Sequence, residues 1–291
     1  MLLLGAVAVG QAQQTMLGEY LDVGIVQVRP EKRAEFDSLV KKMIAANRQN
    51  KGDNWLAIET VYGPGNRVSF VSTRNAYADV ETAMGAFYQA LQKGLGKAAT
   101  ESLMQEFNQC VVSSRNEIRR RRWDLSSNVP SDPAAYAKLV AASRWLRTTE
   151  VRIRPGGAEA FEALEKDLKA AREKASPPQT VFISQAVAGQ EGTVYYVTSL
   201  TNSLAELDTM PSLQQLLGED AYARFLKTAA ETISDTEVAI NRFAPELSNV
   251  PEAIVALAPD YWKPKAGPLN AKAAKPPAEN AAEKNKMEEK H

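Results

Sequence analysis

The densest run of side chains able to do chemistry is Arg119-Arg120-Arg121-Arg122-Trp123. Alternation along a strand would send Arg119, Arg121 and Trp123 to one face and Arg120 and Arg122 to the other. Guanidinium groups grip carboxylates and phosphates through two parallel hydrogen bonds, so the first face is an anion site if it looks into a cavity. The same run also reads as an exposed strand whose like charges are hydrated or paired with Glu and Asp across the sheet, and on an edge strand such charge deters edge-to-edge pairing. Two other strand-like stretches carry similar groups. If Val26 and Val28 face a helix layer, Gln27 and Arg29 face away from it, and if Val151 and Ile153 do so, Glu150, Arg152 and Arg154 face away. Arg29, Arg119, Arg121, Trp123, Glu150, Arg152 and Arg154 are therefore the candidate ligand-binding residues, and no residue is assigned a catalytic role.

Much other chemistry is excluded. The chain has 1 histidine, His291, at its last position, which removes Ser-His and Cys-His nucleophile pairs and imidazole ligation of zinc or haem. Cys110, also the only one of its kind, falls on the apolar side of a helical pattern with no basic neighbour, so a core thiol is expected and no disulfide can form within the chain. Gly63-Pro64-Gly65 and Gly189 to Gly192 sit where hairpins turn and open no helix, unlike phosphate-binding loops. The carboxylates show no metal-ligand or acid/base spacing, so neither metal nor cofactor is expected. Tyr195 and Tyr196 point to opposite faces of one strand, one to the core and the other toward the candidate cavity. With 35 basic and 35 acidic residues the net charge is zero, which provides no electrostatic footprint for nucleic acid.

The elements that must position these groups come from an internal repeat. A length of 291 residues suggests two domains. Val26-Gln27-Val28-Arg29-Pro30 with Phe36 recurs as Val151-Arg152-Ile153-Arg154-Pro155 with Phe161, an offset of 125. Val61, Gly63, Val68, Val71 and Met84 recur 126 residues on, and Ser127-Asn128-Val129-Pro130 recurs 121 residues on as Ser248-Asn249-Val250-Pro251. Each copy reads as β-α-β-β-α-β. In the first, strand Val23–Arg29 leads into a helix whose Phe36, Leu39, Val40, Met43 and Ile44 share one face. A hairpin follows over 55–62 and 67–73, then a helix bearing Leu103, Met104, Phe107, Cys110 and Val111, and a closing strand over 115–123. The second copy places strands over 148–154, 180–187, 193–199 and 236–243, with helices bearing Phe161, Leu164 and Leu168, then Tyr222, Phe225, Leu226, Ala229 and Ile233. This is the ferredoxin-like plan of class α+β. The repeats span 20–130 and 145–251, with a linker at 131–144.

The ends read differently. Leu2 to Val9 followed by Gly10-Gln11-Ala12 has the apolar run and small residues of a secretory signal over 1–12, although no basic residue precedes it. Export to a periplasmic or extracellular space of bacterial type is the expectation. Residues 263–291 are Lys, Ala, Pro and Glu with few bulky apolar side chains, the composition of a disordered tail. No stretch is long and apolar enough for a transmembrane helix.

The two tandem units resemble the dimeric α+β barrel superfamily, whose members include the antibiotic-biosynthesis-monooxygenase-like and NIPSNAP-like proteins and the fused chlorite dismutases. The resemblance implies two ferredoxin-like units packed sheet to sheet as a fused α+β barrel, with the candidate arginines facing its interior. It implies no function by itself. The functional expectation is an exported module binding a small anionic or amphipathic ligand in an Arg-lined cavity. The alternatives are a cofactor-independent enzyme, monooxygenase-like or isomerase-like, and a module for a protein partner or self-association. Whether the chain is an enzyme stays open at this point.

Overall fold

The computed structural model describes residues 16–175 and 179–263. The expected signal at 1–12, and all of the expected tail except Lys263, lie outside the described residues. Eight antiparallel strands close a barrel in the order β1-β3-β2-β8-β5-β7-β6-β4. The first repeat supplies β1 (Tyr20–Val28), β2 (Leu56–Tyr62), β3 (Arg67–Arg74) and β4 (Val111–Arg121). The second supplies β5 (Trp145–Ile153), β6 (Val181–Ala188), β7 (Thr193–Thr201) and β8 (Ile233–Phe243). Two seams join the repeats, β2 with β8 and β4 with β6. Closure leaves β4 paired on both sides, so the reading of the arginine run as an exposed edge strand does not hold.

Helices coat the outside. Helix α1 (Arg33–Gln49) buries Phe36, Leu39, Val40, Met43 and Ile44 against Val26, Val28 and Val68 of the sheet, the face its 3–4 spacing dictates. The first repeat then has two helices where the sequence suggests one, α2 (Tyr77–Leu95) and α3 (Lys97–Gln109). They break at Gly96, whose φ of +86° suits a residue without Cβ. Cys110 and Leu103 are buried in that core, but Val111 already belongs to β4, which starts four residues earlier than expected. In the second repeat α5 (Ala158–Lys174) carries the buried Phe161 and Leu168. Two short helices, α6 (Ala205–Asp208) and α7 (Leu213–Leu217), precede α8 (Glu219–Thr232). The expected apolar face of α8 is thinly covered, with Leu226 50% exposed, and Ile233 begins β8 instead of ending the helix.

The stretch 131–144, expected as a linker, folds into α4 (Pro133–Ala142), capped by Asp132. Helix α4 covers one barrel end together with Met16, α9 (Glu252–Val255) and α10 (Pro259–Trp262), and Trp262 is fully buried there.

The recurring Ser-Asn segments are latches between repeats. Ser126 Oγ accepts the Ile183 N–H at 2.8 Å, and Ser248 Oγ accepts the Ala57 N–H at 2.8 Å. The Ser127 carbonyl takes the Val181 N–H at 3.1 Å as the Asn249 carbonyl takes the Trp55 N–H at 3.0 Å. The structural equivalence is thus Ser126 with Ser248 and Ser127 with Asn249, one residue off the register that the Ser-Asn-Val-Pro letters suggest. Each latch also exchanges core: Ala244 and Leu247, after β8, sit in the first repeat's cluster, and Leu125, after β4, sits in the second's.

Candidate functional site

Inside the barrel is a cavity of about 180 Å³. Strand alternation lines it with Leu21, Val23 and Ile25 of β1, Leu56 and Ile58 of β2, and Leu146, Phe182, Leu200 and Phe243 from the second repeat. Tyr136 and Val140 of α4 cover its apolar end, and the opposite end is charged.

At the charged end Glu117 is a fully buried carboxylate. Arg119 Nε donates to its Oε2 at 2.7 Å and the Tyr196 hydroxyl to the same oxygen at 2.8 Å, while Gln190 Nε2 donates to Oε1 at 3.0 Å. Arg115 Nε lies 2.6 Å from Oε1, close enough for an ion pair though poorly aligned for a hydrogen bond. The Arg119 guanidinium also covers the Tyr196 ring, 3.4 Å from its centroid. Burial pushes the Tyr196 hydroxyl well above the usual phenol range, so it remains a donor. The network continues outward from Gln190 Oε1 to Arg152 at 3.3 Å and from Arg152 to Glu150 at 2.7 Å, and Arg67 pairs with Glu237 at 2.9 Å.

Arg121, at the other end, is in a different situation. It is 6% exposed, and its guanidinium donates to the Met16 carbonyl at 3.2 Å and the Tyr136 hydroxyl at 3.1 Å. It lies over two rings, Trp123 at 5.0 Å and Tyr136 at 5.1 Å. Among the described residues it forms no ion pair. Two cation–π contacts supply about 1–4 kcal/mol together, while removing a cation from water costs several kcal/mol even after relaxation.

The other members of the run point outward. Arg120 is exposed, and Arg122 donates to Asp124 at 2.7 Å and to Glu162 at 2.8 Å. Those bonds hold both carboxyls below their ordinary range. Tyr195, the outward member of its pair, is buried on Phe161 and donates to Glu162 at 2.6 Å.

Of the seven sequence candidates, Arg119, Arg121, Trp123 and Glu150 line the cavity. Arg152 reaches only the rim network. Arg29 is exposed beyond the end of β1, bonded to the Gln109 carbonyl, and Arg154 is exposed beyond β5, so neither joins the site. Sequence reasoning missed Glu117 and Arg115, although the parity that selected Arg119 also selects them, and it missed Tyr136. A hollow of about 590 Å³ lies outside the barrel under α6 and α7, but its buried Arg172 is already paired with Glu165 at 3.2 Å. No histidine stands among the described residues, and Cys110 is enclosed by apolar side chains.

The sequence matches no protein-family model and no curated protein. Solved structures do match. An anthrone oxidase-like protein is 14% identical, with a TM-score of 0.51, covering 79% of this chain and 93% of that one. Chlorite dismutase from Candidatus Nitrospira defluvii, in complex with imidazole, is 9% identical with a TM-score of 0.47, covering 84% of this chain and 99% of that one. A NIPSNAP family protein from Agrobacterium tumefaciens is 18% identical with a TM-score of 0.26, covering 34% of this chain and 82% of that one. With its closed eight-stranded sheet and two ferredoxin-like units, the chain has the fold of the dimeric α+β barrel proteins, both halves supplied by one polypeptide.

Proposed function

We propose that the protein binds a small monocyclic carboxylate inside the barrel, with the ring among the apolar side chains and the carboxylate on Arg121. The observation that carries this reading is the buried Arg121 guanidinium, which among the described residues bonds only neutral acceptors and lies over ring faces. A carboxylate there forms charge-assisted bonds of about twice the strength of neutral ones. Size restricts the rest of the ligand. An apolar cavity of about 150 Å³ accepts benzene, so the 180 Å³ here suits one ring with a small substituent. Phe182, Phe243 and the aliphatic wall provide the apolar contacts.

The test is titration calorimetry with benzoate, benzyl alcohol and acetate, on the full chain and on Arg121→Met. Native mass spectrometry of the freshly purified protein reports any ligand retained from the cell. Benzoate is expected to bind the natural chain, and Arg121→Met to weaken it by about tenfold or more, the loss of one charge-assisted contact. Benzyl alcohol tests the ring without the charge and acetate the charge without the ring; both should bind more weakly. Equal benzoate affinity in Arg121→Met, with circular dichroism showing the variant folded, overturns the reading.

A further inference from the structure

The cavity wall opposite Arg121 carries hydrogen-bond donors that no group among the described residues takes up. Asn241 of β8 is 8% exposed and lines the cavity. Its Oδ1 accepts from Thr60 Oγ1 at 2.9 Å, and no hydrogen bond among the described residues engages its Nδ2. That nitrogen has two N–H groups to give, and a buried donor left unpaired is costly. On the neighbouring strands Thr148 Oγ1 and Thr198 Oγ1 lie 3.2 Å apart, and both residues line the cavity. Whichever of the two donates, the other keeps a proton for which no acceptor stands among the described residues. The cavity-lining carboxylates of these strands, Glu150 and Glu237, are engaged by Arg152 and Arg67.

The repeat explains why there is room on this side. Ser126 and Ser248 are counterparts, an offset of 122, which matches Glu117 with Ala239, Arg119 with Asn241 and Arg121 with Phe243. The strand pairing agrees, since Arg119 faces Ala186 across one seam as Asn241 faces Thr60 across the other. Where β4 fills the barrel with the closed Glu117–Arg119 network, β8 offers a methyl group and an amide. In the closed strand order β4 and β8 are four strands apart in either direction, so they form opposite walls. Asn241 precedes the counterpart of Arg121 by two residues, about 7 Å along the strand. An eight-stranded barrel is wide enough for one small ligand. A ring held at one edge by Arg121 therefore presents its opposite edge to Asn241.

We propose that Asn241 is the specificity-determining residue of this cavity, and that the ligand is a ring carboxylate of the 4-hydroxybenzoate class, with a hydroxyl or carbonyl oxygen across the ring from the carboxylate. The inference rests on the carboxylate site at Arg121 and adds the second polar contact to it. The ligand oxygen accepts from Asn241 Nδ2, and the spare hydroxyl of the Thr148–Thr198 pair is a further donor on the same wall. An apolar substituent at that place would take water from these donors without replacing its hydrogen bonds.

Titration calorimetry of the full chain with 4-hydroxybenzoate and 4-methylbenzoate, which are close in size, tests this. A purely apolar site would prefer the methyl group, since burial favours it and penalises the hydroxyl. The natural chain is expected to prefer 4-hydroxybenzoate by about fivefold or more, the yield of one hydrogen bond. Asn241→Leu, close to Asn in shape, should abolish or reverse that preference. So should Asn241→Leu combined with Thr60→Val, which removes the Thr60 hydroxyl together with its acceptor; circular dichroism shows whether each variant is folded. Arg121→Met should weaken both ligands and leave their ratio in place. Equal affinities in the natural chain, or a ratio that Asn241→Leu does not change, overturn the role of Asn241 while the dependence of benzoate on Arg121 still stands. Phenol and toluene separate the opposite case, because neither carries a carboxylate. A preference for phenol that disappears in Asn241→Leu, together with benzoate binding indifferent to Arg121→Met, overturns the carboxylate site alone. A chain that binds none of these ligands overturns both.

Discussion

Glu117 decides whether the charged end of the cavity can exist. Fully buried, it accepts from Arg119, Tyr196 and Gln190 and lies against Arg115. Glu117→Ala would strand Arg119, whose side chain is 13% exposed, without its counter-charge, while Arg115, 40% exposed, can turn to water. Loss of one partner from a buried pair costs about 3–5 kcal/mol, and urea denaturation should find a loss of that size. Replacing both charges, Glu117→Leu with Arg119→Leu, should recover much of it, because the desolvation cost disappears along with the attraction. If the double variant is as unstable as the single, packing and not charge is what Glu117 provides. The strand rule made Arg119, Arg121 and Trp123 legible as one inward face. It could not reveal that Arg119 is neutralised and Arg121 is not, since the groups that make the difference, Glu117 and Tyr196 for one and Tyr136 with Met16 for the other, arrive from separate elements. Arg29 and Arg154 obey the same alternation but lie past the strand ends, where a side chain's direction no longer follows from parity.

At the level of elements, the repeat carried most of the information. Strand positions followed from apolar alternation and turn residues to within a few residues, and the face of α1 followed from its spacing. Two features depended on chain geometry that periodicity does not encode. Gly96 splits one expected helix into α2 and α3 through its positive φ, and α4 forms within the segment between the repeats that was expected as a linker. The recurring Ser-Asn letters misplaced the equivalence by one residue because two serines adjoin; the hydrogen bonds identify Ser126 and Ser248 as counterparts. Each satisfies a strand N–H of the opposite repeat and also donates back to its own chain, to the Arg122 and Ala244 carbonyls, both at 2.8 Å. Removing either hydroxyl leaves a buried donor unpaired, at a cost of about 1–3 kcal/mol. Ser126→Ala and Ser248→Ala should therefore each lower the urea midpoint. Because they latch different repeats, the double variant should lose the sum to within about 0.5 kcal/mol. A neutral Ser248→Ala would mean that the Ala57 N–H finds another acceptor.

For the whole molecule, the question is whether the two ferredoxin-like units are separate folding domains, as a length near two domains suggests. The sheet argues against it. Neither unit can bury its inner face alone: Leu21, Val23, Ile25 and Ile58 meet Leu146, Phe182, Leu200 and Phe243 only in the closed barrel. Separation would also uncover the edges of β2, β4, β6 and β8, which pair only across the seams. The exchanged segments add to this, since Leu247 leaves the first repeat's core and Leu125 the second's when the halves part. The chain should therefore unfold in one cooperative step in spite of its repeat. Trp55 reports from the first repeat's core, Trp123 from the cavity and Trp262 from the barrel cap. Tryptophan fluorescence and far-ultraviolet circular dichroism should consequently trace a single urea transition with one midpoint, the signature of two-state behaviour. Variants that keep only one tryptophan at a time localise the measurement. If Trp55 and Trp123 melted at separate midpoints, the repeats would be independent units that merely touch, and the cavity between them could open without unfolding either.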